Sequence, residues 1–247
     1  MSQGLAAMVE AAMDWWQDAG LATSLDDTAK PWLGSLRETE AKATRAKVLA
    51  QPVAPPPPPV MGGVSSEWPQ TLPEFAEWWR TTPALPFPAT RRLAPSGPHG
   101  APLMVLVPMP EADDAQGLLD GRGGRLLDAL VAALGLTREQ IYCASALPVH
   151  IPMPDWAQLR ADGLGALTAH HVALAAPQRV LILGRSSIST LLNHDLPNNA
   201  ADFREFNHDG GCVPAVFAVD LAALLARPAH KAALWNRLLD WTGTYQT

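Results

Sequence analysis

Four short apolar runs, each separated from the next by a stretch with helical spacing, constrain the fold more than any other feature of this sequence. A continuous apolar run of strand length is typical of a parallel strand that is covered on both faces. Strands that alternate with helices predict a parallel sheet with helices on both sides. We therefore predict an α/β fold, a three-layer α/β/α sandwich with a mainly four-stranded parallel sheet. The predicted strands are residues 102–110, 140–148, 178–184 and 213–219, and the predicted helices that alternate with them are residues 123–135, 155–176, 185–193 and 226–241.

The N-terminal part of the chain has a different character. Residues 5–19 place apolar side chains at helical spacing, and the charged residues 35–51 predict a solvated helix. A proline run follows, which favours a stiff, extended spacer. We predict a helical extension over residues 1–51, a proline-rich linker over residues 52–66, and the α/β domain over residues 67–247.

Charge and composition narrow the classes of function. The formal net charge is −6, so the chain has no overall basic field that would draw it onto nucleic acid. No apolar stretch reaches the length of a membrane helix, and we expect a cytoplasmic protein without a membrane partner. Cys143 and Cys212 are too few for a four-cysteine metal site, and we expect both to be small buried side chains.

The candidate site lies where the predicted strands end, because the carboxyl ends of parallel strands meet at one edge of the sheet. Asp220 follows the fourth strand directly and precedes a helix. Its oxygens are well suited to accept the free backbone N–H groups of that helix as an N-cap. A catalytic role and a polar contact to a partner are the alternatives.

The order and wording of several segments resemble the uracil-DNA glycosylase superfamily, most closely its iron–sulfur class of bacterial and archaeal enzymes. The resemblance covers residues 72–241, and residues 8–33 are similar to an N-terminal extension of some members. It implies the uracil-DNA glycosylase version of the three-layer fold. The segments that carry it are APLMVLVPMPEADDAQG, REQIYCASALP, PQRVLILGRSSISTLL and VDLAALLARPAHK.

The resemblance also implies which positions would carry the chemistry. Members of the family use an acid after the first strand, an aromatic ring over the flipped base, an asparagine for the uracil edge and a histidine after the last strand. Here these positions hold Pro108, Leu119, Ser145 and Asp220. Proline cannot activate water, leucine has no π-face, a single hydroxyl cannot replace an amide, and an ionised aspartate would repel the departing uracil anion.

Two acids near the first strand are conceivable substitutes, namely Glu111 and Asp113. The cysteines that hold the family's iron–sulfur cluster are absent from the matching segments, so we predict no cofactor. His150, His170 and His171 lack ligands at metal-binding spacing, and we predict no metal site. We interpret the adjacent pair, His170 and His171, as surface and partly buried side chains.

Two helix N-termini offer candidate sites for a phosphate or another anion. One follows the third strand at Gly184, Arg185, Ser186 and Ser187, and the other begins at Arg122. Capping of the helix by Ser186 or Ser187 is the alternative.

These observations lead to two hypotheses for function. In the first, the chain is a catalytically degenerate relative of uracil-DNA glycosylases that acts as a binding or accessory protein linked to DNA repair or replication. Its partner would be DNA or a protein of that machinery. Several tryptophans would suit a protein interface if exposed, and packing against the domain is the alternative. In the second, it is an active DNA glycosylase that uses Glu111, Asp113 or Asp220 in place of the missing groups. The tryptophans in question are Trp15, Trp16, Trp78 and Trp79.

Overall fold

The computed structural model describes residues 3–20, 60–193, 203–208 and 210–244. The chain divides into two compact units, Met1–Pro56 and Pro57–Thr247, and this division falls inside the predicted linker. The predicted helix over residues 35–51 lies outside the described residues.

The first unit contains helix α1, Gln3–Asp18, which confirms the helix predicted from the apolar spacing. The helix is followed by a turn in which the N–H of Ala19 bonds the carbonyl of Trp15. Gly20 then adopts a positive φ of 79°, a conformation that glycine enters without a steric penalty. Helix α1 therefore has its own C-terminal stop.

The second unit is built on a mostly parallel sheet. In the described part of the chain this sheet has five strands in the order β2-β1-β3-β5-β4, and only β4 is antiparallel to its neighbour. The α/β architecture predicted from the sequence is thus confirmed. The strands are β1 (Met104–Val107), β2 (Tyr142–Ser145), β3 (Val180–Leu183), β4 (Phe203–His208) and β5 (Gly211–Ala218).

Strand β4 corrects the prediction of a four-stranded sheet. Its sequence, FREFNH, contains two apolar residues among polar ones, so this strand has no continuous apolar run. Phe206 is buried while its neighbour Glu205 is exposed. A search for continuous apolar runs therefore misses this strand.

Helices cover both faces of the sheet. They are α2 (Leu72–Thr81), α3 (Arg122–Ala133), α4 (Trp156–Ala161), α5 (Leu164–Ala175), α6 (Arg185–Leu192), α7 (Leu221–Ala226) and α8 (Pro228–Thr244). The single helix predicted over residues 155–176 is in fact two helices. Gly163, with a φ of 95°, separates α4 from α5.

Alternate strand residues supply two separate cores. In β1, Met104 and Leu106 belong to the core that includes residues of α2, α5 and α6, whereas Val105 and Val107 belong to the core under α3, α7 and α8. This alternation is what a strand covered on both faces requires.

The last residues of the predicted linker also belong to the second unit. Met61 is buried, and its N–H donates to the carbonyl of Asp162 at 2.6 Å. A Cβ at Gly62 would lie 3.1 Å from the side chain of Leu167. This part of the chain is therefore packed against α5 and the turn before it.

Candidate functional site

The ends of β1 and β3 are closed by direct packing. Pro108 follows β1, Gly184 follows β3, and the two strands are neighbours in the sheet. A Cβ at Gly184 would lie only 2.2 Å from Cγ of Pro108, and Gly184 has a φ of 120°. The proline ring therefore occupies the space directly over Gly184.

The loop after β1 is organised by the carboxylate of Asp114. Its two oxygens accept backbone N–H groups at distances from 2.9 to 3.2 Å. An acid that bonds several backbone donors fixes the path of a loop and is not simply solvated. The donors to Asp114 are the N–H groups of Glu111, Leu119, Asp120 and Gly121.

Two further aspartates of this loop also bind backbone donors. The N–H groups of Gln116 and Ala115 bond the carboxylate of Asp120 and hold its pKa below the usual range. Asp113 accepts the N–H of Arg122 at 3.0 Å, at the start of α3. The helix N-terminus that the sequence indicates as an anion site is thus already paired with a carboxylate of the chain itself.

Leu119 lies in the core and not at a ligand surface. It is 2% exposed, and its φ is 60°. A Cβ at Gly124 would lie 1.8 Å from the carbonyl oxygen of Leu119, so the first turn of α3 packs directly on this backbone. Arg138 also donates to the carbonyls of Leu118 and Leu119.

Glu111 differs from the other acids because no described residue donates a hydrogen bond to its carboxyl group. Its side chain is half-buried beside the first turn of α3, where a Cβ at Gly123 would lie 3.4 Å from its Cγ. Burial raises the pKa of Glu111, and the nearby carboxylates of Asp114, Asp220 and Asp113 raise it further, while His150 opposes the shift. The structure therefore brings Glu111 and Asp220 into one electrostatic neighbourhood.

His150 belongs to the same electrostatic neighbourhood and lies in the segment after β2. Its Nδ1 is 2.9 Å from the carbonyl oxygen of Pro110. Because a carbonyl only accepts, Nδ1 carries a proton and donates, so the neutral tautomer of this ring has its lone pair on Nε2.

Glu111 and His150 line the same cleft, which we call the β1–β2 cleft. It has a volume of about 430 Å³ and lies between residues 87–93, 110–115 and 149–151. Its polar side chains include Arg91 and Asp114. Glu111 also faces a second groove of about 420 Å³, between the first turn of α3 and helix α7.

The wall formed by residues 87–93 was not foreseen from the sequence. It is held in place by Arg92, a buried residue whose pKa is lowered by desolvation. The guanidinium group donates only to main-chain carbonyls, several of them at the C-terminal end of α2, where a cation is favourable. Its acceptors are the carbonyl oxygens of Trp79, Arg80, Thr82, Leu85 and Phe87.

Asp220 is the N-cap of α7. Its Oδ1 accepts the N–H of Ala223 at 2.7 Å, which confirms the capping role predicted from its position. Ser145 is 3% exposed, and its Oγ has no hydrogen-bond partner among the described residues. In the register of the sheet it lies beside Val107, and it lines neither of the two clefts.

The other predicted anion position is the start of α6. Gly184 is the N-cap, so Ser186 and Ser187 lie inside the first turn and do not occupy the cap position. The alternative of a serine cap is therefore wrong, because the helix begins at Arg185, two residues before a cap at Ser186 would allow. Arg185 is half-buried, and none of residues 185–187 lines the β1–β2 cleft.

The adjacent histidines are structural. His170 is half-buried and bonds the carbonyl of Pro69 through Nε2 at 2.8 Å. His171 corrects the prediction of a surface or partly buried pair, because it is only 2% exposed and lies within the aromatic cluster of α2. Within the four described ranges, no group of three His, Cys, Asp or Glu side chains is arranged to hold a metal ion.

The prediction that both cysteines are buried is wrong for Cys212. Cys143 is buried, and burial raises the pKa of its thiol to about 11, but Cys212 is exposed at the start of the edge hairpin. Trp79 is buried, since its ring stacks on Phe75, and Trp78 is half-buried. Trp15 and Trp16 of α1 are exposed.

No protein-family model matches the chain, and no curated protein matches it at a significant level. Among the helices that the structure describes, none combines the length and the apolar character needed to cross a membrane.

Proposed function

We propose that this chain is a catalytically degenerate relative of uracil-DNA glycosylases that acts as a binding or accessory protein in DNA repair or replication. One observation carries the proposal. The residue at the position of the family's acid, Pro108, is a ring packed on Gly184, so the space directly over Gly184 holds neither a carboxylate nor a base.

The other three family positions support the same proposal. Leu119 is part of the core, Ser145 is buried beside Val107, and the carboxylate of Asp220 is bound to the backbone of α7. Each side chain serves the fold, and none of the three lines the β1–β2 cleft.

The charge of the loops at the carboxyl ends of the strands favours a protein as the partner over DNA. The loop after β1 and the start of α7 together carry a set of carboxylates that would repel phosphates. Arg91 and Arg122 offset this charge only in part. The carboxylates are those of Glu111, Asp113, Asp114, Asp120 and Asp220.

The experiment is a base-excision assay on the purified full-length chain. Oligonucleotides that contain uracil or hypoxanthine are incubated with the protein and then treated with alkali, which cleaves the strand wherever a base has been removed. We expect no scission above that of buffer. Scission that is abolished by Asp220→Asn or Glu111→Gln would overturn the proposal.

A mobility-shift titration with undamaged DNA tests the choice of partner. We expect no shift at physiological salt. A salt-dependent shift that Arg185→Glu removes would instead point to DNA held at the start of α6.

One observation favours a second candidate, an active DNA glycosylase with substituted groups. The β1–β2 cleft places Glu111, whose pKa is raised, together with the basic Nε2 of His150. A carboxyl and an imidazole in one cleft are the groups that acid–base cleavage of a glycosidic bond uses. Asp113 is less suited, since its carboxylate is bound to the N–H of Arg122.

The two candidate functions predict different effects on base excision when Glu111 and His150 are replaced. If the second is correct, Glu111→Gln and His150→Gln both abolish scission, whereas Asp120→Asn in the same loop does not. Equal scission by all three variants would assign the activity to a contaminating enzyme.

A further inference from the structure

Helix α1 carries an apolar face that nothing in its own unit covers among the described residues. Its large apolar side chains recur at helical spacing on one side, and two of them are tryptophans. Aromatic and methionine side chains of this size are enriched in the cores of protein interfaces. The exposed fractions are 72% for Met8, 52% for Val9, 66% for Trp15 and 49% for Trp16.

The opposite side of the same helix is acidic. Glu10, Asp14 and Asp18 follow each other at intervals of four residues, so they form one stripe. No lysine or arginine occurs between residues 3 and 20. The helix therefore combines an apolar face with a polar face of a single charge sign.

The geometry points to a helix that docks in a groove of another protein. We propose that α1 lays its apolar face into a hydrophobic groove of a partner protein, and that basic side chains flank this groove and pair with Glu10, Asp14 and Asp18. This inference rests on the proposed accessory function and names the chemistry of the partner. It follows the helix-in-groove mode, in which residues at helical spacing act as anchors.

Charge argues against a lipid surface as the occupant. Helices that lie on membranes carry lysine and arginine on the polar face, because the lipid surface is anionic. The carboxylates of α1 would be repelled there. A partner with a basic rim is attracted by the same three groups.

Length argues against a second copy of α1. A helical pair that is stable alone needs apolar positions sustained over at least about three heptads. The 16 residues of α1 supply roughly two. A preformed groove, in contrast, covers a short helix on several sides.

The test begins with a photo-crosslinking amino acid in the full-length chain. It replaces Met13, an exposed residue at the border of the apolar face, and in a matched chain it replaces Asp14 on the acidic stripe. We expect a protein to be captured from Met13 and not from Asp14. The captured protein is then identified, purified and titrated with the unmodified chain.

Affinity for that purified protein decides the outcome. We expect Trp15→Ala with Trp16→Ala to lower the affinity roughly 30-fold or more, as for anchors at the centre of an interface. Glu10→Lys with Asp14→Lys is expected to lower it and to remove its dependence on salt. Met153→Ala is the control, because Met153 is 96% exposed in the other unit and should leave the affinity unchanged.

Several results would overturn the inference. The first is that no protein is captured from Met13, and the second is that the tryptophan variant binds the captured protein with unchanged affinity. The third is that the chain co-sediments with vesicles of phosphatidylcholine and phosphatidylserine. The fourth is that the chain forms a dimer that the tryptophan variant abolishes. Alanine is a good helix former, so circular dichroism should show the variant helix intact. Base excision by the full-length chain would contradict the proposed function and would leave these binding results standing.

Discussion

The hydroxyl oxygen of Tyr142 lies 2.8 Å from Nε2 of His171 in the interior of the protein. The imidazole is also stacked on Phe75, with ring centroids 4.2 Å apart. Burial lowers the pKa of His171 to about 3 and raises the pKa of Tyr142. Both groups are neutral at neutral pH, so the hydroxyl donates to the unprotonated Nε2.

This pair predicts a loss of stability in weak acid. The pKa of a histidine in an unfolded chain is about 6.5, whereas that of folded His171 is about 3. Between these two pKa values the unfolded chain binds one more proton than the folded chain. The contribution of His171 to the free energy of unfolding is therefore complete above about pH 6.5, and it declines as the pH falls towards about 3. The free energy of unfolding should fall with a slope approaching about 1.4 kcal/mol per pH unit from this residue.

Urea unfolding at pH 7, 6 and 5 measures that slope. The double variant Tyr142→Phe with His171→Phe removes both polar partners, and its slope should be smaller by the contribution of one histidine. His99→Gln, at an exposed position, is the control and should keep the wild-type slope. An unchanged slope in the double variant would contradict the buried neutral state of His171.

A second prediction concerns Arg92. Replacement by lysine keeps the charge but cannot reach carbonyls spread from Trp79 to Phe87, so buried acceptors lose their donor. We expect Arg92→Lys to lower the free energy of unfolding by about 2–4 kcal/mol. Arg91→Lys, at the exposed neighbouring position, should change it by less than about 0.5 kcal/mol. Equal urea midpoints for the two variants would show that the Arg92 hydrogen bonds carry no net stability.

Strands β1, β2 and β3 could be predicted from sequence because they are buried at every residue and lie within apolar runs. Strand β4 could not, since it mixes Phe206 with polar neighbours such as Glu205. The break between α4 and α5 is marked in the sequence by Gly163, but a glycine within helical spacing does not reveal a positive φ. A strand that is buried on both faces has a continuous apolar run in its sequence, whereas a partly buried strand has none.

The candidate site was only half predictable for a related reason. The cap at Asp220 depends on neighbours in sequence, and its prediction is confirmed. The β1–β2 cleft depends on Arg92, which bonds main-chain carbonyls, and a carbonyl has no residue type that sequence patterns can detect. The packing of Pro108 on Gly184 joins two strand ends that are far apart in the chain, so it cannot be predicted from the local spacing of residues.

A third prediction tests whether Asp114 holds the loop after β1. Asp114→Ala leaves four backbone N–H groups without an acceptor, and we expect it to lower the free energy of unfolding by about 2–4 kcal/mol. Hydrogen exchange should accelerate at the amides of Leu119 and Gly121. Asp120→Ala is the matched change in the same loop, and its effect on these two amides should be smaller because its own donors are residues 115–117. Exchange that accelerates equally in both variants would contradict a specific role for Asp114.

The last prediction concerns the contact that closes the ends of β1 and β3. Gly184→Ala places a methyl group 2.2 Å from the Pro108 ring and also strains a φ of 120°, so we expect a loss of about 3 kcal/mol or more. Gly135→Ala separates the two causes, because Gly135 has a φ of 76° with no atom within 4 Å of the added Cβ. Its loss should be smaller and should reflect backbone strain alone.

Removal of the ring should relieve the clash but not the strain. Pro108→Ala alone should destabilise modestly through lost packing, and in combination with Gly184→Ala the total loss should fall below the sum of the single losses by about 1–3 kcal/mol. Additive losses in urea unfolding would mean that the two residues do not share the space between the strand ends. In that case the proline would not be what fills the space over Gly184, and the proposal of a degenerate glycosylase would lose the observation that carries it.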